Sequence, residues 1–306
     1  MQISFGPIFH PASPQVEAIS GLFVTVLAIC AVILAIVTGL VAYCVLRCRA
    51  KDGAPEPKQV FGSKNLEITW TAIPCLIVIF IFCLTARVMS SSDPEKNQEP
   101  DIVVTGHQWW WDVRYRANGI HAANELHIPV GKALLVDVES ADVLHDFWVP
   151  QLARKIHAVP GHRNEIWIEA DQAGTFQGEC AEFCGTQHAW MRFLVIADSP
   201  ADFDAWQRQQ LEPLPDNKQV SALFQQYSCL NCHAVTGIST NGSAAPDLTH
   251  LGSRLTLGSG VISNSPENLA LWLKNPQTIK PGCLMPNFGL TDQQTQELAA
   301  YFESTK

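Results

Sequence analysis

Cys180, Cys184, His188 and Met191 fall within twelve positions, in the run Cys180-Ala-Glu-Phe-Cys184-Gly-Thr-Gln-His188-Ala-Trp-Met191. Thiolate, imidazole and thioether are ligands that soft and borderline transition metals prefer, copper foremost. Two thiolates four positions apart can bridge a pair of metal ions, and the imidazole and thioether follow closely enough to cap such a cluster. Zinc is the competing reading, since it closes tetrahedra of Cys and His, but Met191 is a poor ligand for it. Mononuclear blue copper needs a single cysteine, which leaves Cys184 surplus. A second set, Cys229-Leu-Asn-Cys232-His233, has the spacing of a covalent haem site, with two thioethers and one axial imidazole. A thioredoxin-like C-x-x-C is its rival and expects a strand before it. Here Val220, Leu223, Phe224 and Tyr227 precede it at helical spacing. A sixth haem ligand is expected downstream, and Met285 is the only methionine there, between Pro281 and Phe288. His250, in Ala245-Pro-Asp-Leu-Thr-His250, is the alternative. Two adjacent redox centres on one chain make an electron relay the simplest chemistry.

The elements that must position these groups change along the chain. Gly21 to Leu46 is uncharged and apolar almost throughout, and Thr69 to Val88 is uncharged until Arg87. Each is long enough for a bilayer, which takes about 20 residues, so two membrane spans are expected at about 21–46 and 68–89. Arg47, Arg49, Lys51, Lys58 and Lys64 outnumber Asp52 and Glu56 between them, which predicts a cytoplasmic loop and an extracytoplasmic remainder. The opening residues lack a basic region and a cleavage site, so the first span is expected to serve as its own insertion signal. From about 98 to 199, alternating stretches such as Leu134–Glu139 and Glu165–Glu169, with turns at Gly131, Pro160-Gly161 and Gly174, predict an all-β sandwich. Residues 200–216, ending in Leu211-Glu-Pro-Leu-Pro-Asp216, read as a linker. Residues 217–306 read as an all-α domain of short helices around the haem motif, with Ser265 before Pro266 as one helix start.

Ten cysteines sort by location. Cys30, Cys44, Cys75 and Cys83 lie in the spans as small hydrophobes, and Cys48 lies on the cytoplasmic flank. Four fall in the two ligand motifs and only Cys283 is left over, which argues against a disulfide framework. The net charge of −9 gives no basic footprint for nucleic acid. The sandwich carries seven Asp and six Glu against seven Lys and Arg between Asp101 and Asp198. A surface of that sign steers a basic donor towards it, or keeps the domain soluble.

The run Cys180–Met191 resembles the dinuclear CuA motif of cytochrome c oxidase subunit II, and Asp142-Val-Leu-His145-Asp-Phe-Trp-Val-Pro150 resembles its upstream ligand segment. That resemblance implies a cupredoxin-like sandwich in which Cys180 and Cys184 bridge two coppers. It gives His145 and Met191 to one copper, and His188 and the Glu182 carbonyl to the other. It also implies that the Glu182 side chain reaches a magnesium ion shared with the catalytic subunit. Gly106-His-Gln-Trp109-Trp-Trp111-Asp-Val-Arg-Tyr115 is similar to the family's aromatic strand, with Trp110 where tyrosine is usual, and casts Trp109 as the aromatic through which electrons reach copper. Leu66-Glu67-Ile-Thr-Trp70 is similar to the segment whose glutamate stands at a proton-channel mouth; an interfacial carboxylate is the plainer reading of Glu67. His157 departs from the acid common in Lys155-Ile-His157-Ala-Val-Pro160-Gly161. The haem region resembles a class I cytochrome c.

Taken whole, the sequence resembles oxidase subunits II with a fused cytochrome c, the caa type. The implied function is to pass electrons from cytochrome c or another donor, through haem c and CuA, to haem-copper subunit I. There oxygen is reduced to water with proton translocation, in a bacterial inner membrane, with both redox domains periplasmic. A CuA-bearing nitric oxide reductase subunit, a non-catalytic membrane electron carrier and a redox or metal sensor are the alternatives. Quinol-oxidase relatives are disfavoured because they lack the copper ligands kept here.

Overall fold

The computed structural model describes residues 10–49, 53, 55–56, 58–93, 98–215, 217–239 and 242–305. The first nine residues, Lys51 and Asp52 of the basic loop, Asp216 at the end of the expected linker, and Lys306 lie outside them. The chain divides into two compact units, Glu17–Asp93 and Met1–Val16 with Pro94–Lys306.

The smaller unit is a helical pair, α1 (Pro14–Arg47) and α2 (Lys64–Ser92). At 34 and 29 residues, both exceed the length needed for a hydrocarbon layer about 30 Å thick. Their apolar windows bury nothing within the protein, the condition of helices whose solvent is lipid. Both extend beyond the expected spans, because polar turns at either end continue the helical hydrogen bonding. Glu67 lies in the first turn of α2, where a carboxylate meets the positive end of the helix dipole.

The larger unit opens with a sandwich of ten strands. These are β1 (Ile102–His107), β2 (Trp110–Tyr115), β3 (His121–Ala123), β4 (Glu125–Pro129), β5 (Leu134–Ser140), β6 (His145–Trp148), β7 (Ile156–Ala158), β8 (Asn164–Ile168), β9 (Gly174–Cys180) and β10 (Arg192–Asp198). One sheet runs β3-β2-β1-β5-β8 and the other β4-β10-β9-β6-β7. Pairing is antiparallel except β1 with β5 and β4 with β10. The alternation read in 134–139 and 165–169 becomes the β5–β8 ladder, with Leu134 opposite Ile168. Trp111, Phe147 and Phe193 pack ring to ring between the sheets, at centroid distances of 4.5 to 5.6 Å. Truncating one such aromatic costs about 3–5 kcal/mol. Ala12 and Ser13 are stitched to the sandwich by Ala12 N–H to the Gln151 carbonyl and the Ser13 hydroxyl to the Leu152 carbonyl.

The segment expected as linker is helical in its first part. Ser199 caps α3 (Pro200–Gln210), with its hydroxyl accepting from Asp202 N–H, and Trp206 stacks on His127 at 4.2 Å. Phe203 stacks on Trp206 and packs with it against the sandwich core, so two aromatics fasten a mostly polar helix. The C-terminal domain follows with α4 (Lys218–Gln226), hairpin β11 (Thr256–Leu257) and β12 (Ile262–Ser263), α5 (Pro266–Lys274), α6 (Pro276–Ile279) and α7 (Asp292–Glu303). Side-chain caps start each helix: Asn217, Ser265, Asn275, and Thr291 in a capping box with Gln294. Phe224, Leu298 and Phe302 meet in its core.

Candidate functional site

Two neighbouring strands and one loop assemble the first centre. His145 opens β6, Cys180 closes β9, and the chain returns through Cys184 and a 3-10 turn at His188–Trp190 to β10. Cys180 N–H bonds the Met191 carbonyl at 3.1 Å, pinching the loop at its base. The two sulfurs are 3.7 Å apart, close enough for both to reach an ion at the usual metal–thiolate distance of about 2.3 Å. His145 Nδ1 lies 3.9 Å from Cys180 Sγ, and His188 Nδ1 and Met191 Sδ lie 3.6 and 3.8 Å from Cys184 Sγ. The Glu182 carbonyl is 3.2 Å from Cys180 Sγ. All six donors expected from the sequence thus converge.

Electrostatics suit the same group. Cys180 is held well below the usual thiol range by the Cys184 thiol and despite burial, while the thiolate beside Cys184 drives that second thiol upward. Two adjacent thiolates are stable together only around positive charge, which a bridged pair of copper ions would supply. Burial pulls His145 down, but Cys180 and Asp142 outweigh it and the imidazole is raised overall. Asp142 Oδ1 holds its Nε2 at 2.8 Å, so Nδ1 is the atom turned to the sulfurs. The other carboxylate oxygen of Asp142 accepts from Gln108 N–H at 2.6 Å.

Beside this cluster, Asp146, His157 and Glu182 bring ligand atoms within 4.8 Å of one another. Asp146 is fully buried and neither carboxylate oxygen has a hydrogen bond. Burial raises its pKa against the pull of His157 and Lys155, whose nitrogens stand 3.4 and 3.7 Å away. A divalent ion fits such a set.

The second centre is a cavity of ≈ 410 Å³ lined by Cys229, Cys232, His233 and Met285 together with many apolar side chains. His233 Nδ1 meets the Pro246 carbonyl at 2.7 Å, which fixes the ring and leaves Nε2 for a ligand. Burial holds this imidazole below its ordinary pKa, in the neutral form that binds iron. His250 does not line the cavity; it is buried, with Nδ1 3.4 Å from the Thr305 carbonyl. Cys283 accepts from the Gln277 amide at 3.2 Å beside the Met285 loop. The donor set, its apolar walls and the oriented imidazole fit a covalently attached haem.

Trp109 stands at both centres. Its side chain lines the cavity, and its Nε1–H donates to the Cys184 carbonyl at 3.1 Å, where the Gln108 amide also donates at 2.7 Å. Gly185 is required here: with φ at +121°, a side chain on it would meet the Trp109 ring at 2.9 Å. The resemblance cast Trp109 as the aromatic through which electrons reach copper; the structure half-buries it against the haem domain. Lys280, Ser259 and Glu125, which hydrogen-bond across the boundary between the sandwich and the C-terminal domain, carried no motif. Glu67 lies in the other unit, away from either cluster in sequence.

Comparison with known proteins agrees with this geometry. Residues 2–87 match the family described as cytochrome C oxidase subunit II, transmembrane domain, residues 117–198 match its periplasmic domain, and residues 218–306 match cytochrome c. Cytochrome c oxidase subunit 2 of Alkalihalophilus pseudofirmus is 35% identical, across 97% of this chain and 90% of its own length. The Bacillus subtilis protein of the same name is 33% identical, across 82% of this chain and 77% of its own. The crystal structure of the periplasmic domain of subunit II of cytochrome oxidase of Bradyrhizobium japonicum is 33% identical with a TM-score of 0.35, covering 37% of this chain and 95% of that one. From hairpin to haem cavity, the chain belongs to the cytochrome c oxidase subunit II family, in a form carrying a C-terminal cytochrome c domain.

Proposed function

We propose that this subunit takes electrons from an external donor at haem c and delivers them through CuA to haem-copper subunit I, which reduces oxygen to water with proton translocation. When bound, the two cofactors supply one-electron redox chemistry. The protein's part is to hold them, and to join them through Trp109. The observation that carries this reading is that one indole both walls the haem cavity and donates to the carbonyl of Cys184.

Cys229, Cys232, His233 and Met285 would hold the haem, the two thiols covalently and the imidazole and thioether as ligands. Cys180, Cys184, His145, His188, Met191 and the Glu182 carbonyl would hold the coppers. Asp142 orients His145. The Glu182 carboxylate belongs to a magnesium site shared with subunit I. Asp146 and His157 support an ion there, and the imidazole widens the choice towards manganese or zinc. Glu67 is assigned to a proton-channel entrance in subunit I, in keeping with its place at the first turn of α2.

The setting is a bacterial inner membrane with both redox domains on the periplasmic side. Hydrogen bonds from Ala12 and Ser13 to the sandwich support this, since they keep the residues before α1 on the same side as the sandwich after α2.

Mild purification from membranes, metal analysis and electron-spin and optical spectra test the proposal. Two coppers sharing one unpaired electron, one haem c and a co-purifying haem-copper subunit that consumes oxygen are expected. Zinc in the Cys180–Met191 loop overturns it, and consumption of nitric oxide in place of oxygen reassigns the enzyme.

A further inference from the structure

Lys280 is a buried cation, 3% exposed, at the end of α6. Its ammonium does not cap that helix. It donates to the carbonyls of Gly258 at 2.9 Å, Trp190 at 3.0 Å and Trp109 at 3.4 Å. An ammonium has three donors, so these acceptors use all of them. Two belong to the copper domain: Trp190 immediately precedes the ligand Met191, and Trp109 walls the haem cavity. Burial pulls the Lys280 pKa down to about 8, which leaves it mainly protonated at neutral pH.

The surrounding contacts have the same direction. Ser259 donates its hydroxyl to the Trp109 carbonyl at 2.9 Å and accepts Arg192 N–H on its own carbonyl at 3.2 Å. Gly258, Ser259 and Gly260 all have positive φ, of 63°, 64° and 78°. That is uncommon for serine, and here it presses the turn onto the copper domain: a side chain at Gly260 would come within 3.0 Å of Arg192 Cβ. The Gln187 amide donates to the Pro281 carbonyl. Glu125 of β4 accepts Leu255 and Thr256 N–H at 2.7 and 3.1 Å.

We propose that Lys280 is the positioning residue that latches the cytochrome c domain onto the copper loop, tying the carbonyls of Trp109 and Trp190 to the haem-domain turn at Gly258. This rests on the relay reading above. A lysine that served only α6 would bond the open carbonyls of that helix; this one crosses to the other domain. The latch removes a search from every turnover, because the haem domain is held at its acceptor instead of docking anew.

The test is Lys280→Met in the full chain within the purified oxidase, read by hydrogen exchange and by haem-to-copper electron transfer after a light-triggered reduction of the haem. Exchange at the seam amides of Arg192, Leu255 and Thr256 is expected to rise about tenfold or more, as for loss of hydrogen bonds to a buried charge. Amides of α7 and β9 keep their protection, and transfer slows and becomes dependent on solvent viscosity. Ser259→Ala, which removes one bond to the same Trp109 carbonyl, is expected to raise the same seam amides by a smaller factor. If Lys280→Met fails to assemble, Ser259→Ala alone decides. Unchanged seam exchange with wild-type, viscosity-independent transfer overturns the latch. Absence of haem-to-copper transfer in the wild-type enzyme overturns the relay reading itself.

Discussion

The copper loop and the haem cavity solve the same task, holding a redox group, in opposite ways. At the copper loop, each sulfur and nitrogen donor already stands within 4 Å of a cysteine sulfur, braced by Asp142, Gln108 and Trp109. At the haem site the ligands line a hollow of ≈ 410 Å³. The sandwich has its own aromatic core, and Cys180, Cys184 and Met191 are buried as part of it. The cytochrome domain leaves the middle of its core for the cofactor. A compact ion needs preformed ligands, whereas a large planar group can itself be the packing.

The largest expected effect follows from that contrast. A hollow of ≈ 410 Å³ walled largely by apolar side chains leaves much of this domain's core packed only when the haem fills it. Cys229→Ala with Cys232→Ala, blocking attachment, should therefore leave residues 217–305 without fixed tertiary packing, seen as lost near-ultraviolet dichroism and exchange protection. Stripping copper by chelation should lower the sandwich's melting temperature by only about 5 °C. Equal losses in the two domains would break the comparison.

Next is the contact between them that weakens as pH rises. Burial raises the Glu125 pKa from 4.5 to about 7. Native protein therefore binds the extra proton between those values, so this group's stabilisation is full below pH 4.5 and is lost as pH rises through about 7. Against Glu125→Gln, wild-type stability should fall by up to about 3 kcal/mol across that window. Parallel pH profiles of the two proteins would refute the assignment; Arg254 is the charged neighbour that tempers the effect.

Asp142→Asn should weaken copper binding by about 10–100-fold, with the sandwich still folded, because the imidazole of His145 loses its orienting carboxylate. Competition with a copper chelator measures it. The smallest effect is expected for Trp109→Phe, which keeps a ring against the cavity but removes the bond to the Cys184 carbonyl: about 1 kcal/mol of local stability. Gln108 still satisfies that carbonyl. A collapse of the copper spectrum in this variant would mean the indole supports the loop more heavily than its single bond indicates.

Most of both sites was legible because chemistry and spacing coincide there. Cys180, Cys184, His188 and Met191 lie on one loop, and Cys229, Cys232 and His233 on one turn, so short-range spacing reports real proximity. His145, 35 positions before Cys180, was reachable only through resemblance. Met285 could be named because it is the only methionine after the haem motif. The seam was illegible for a physical reason: Lys280 to Trp109 spans 171 positions and Glu125 to Leu255 spans 130. A buried lysine bonded to carbonyls also has the same letter as a solvated one. The α3 helix was not legible because its attachment rests on only two apolar side chains, Phe203 and Trp206, beside a proline-rich run.

Ala12 has a consequence for biogenesis. Its N–H and carbonyl are taken by Gln151 and Asp171, and the next residue reaches Leu152 across 139 positions. These partners leave the ribosome long after α1 and α2 have been synthesised. In the membrane topology proposed above, Ala12 and Ser13 therefore lack these partners until the sandwich has followed them and folded. Closure of this stitch is then a late checkpoint, reporting that the leading segment and the sandwich have arrived in the same compartment.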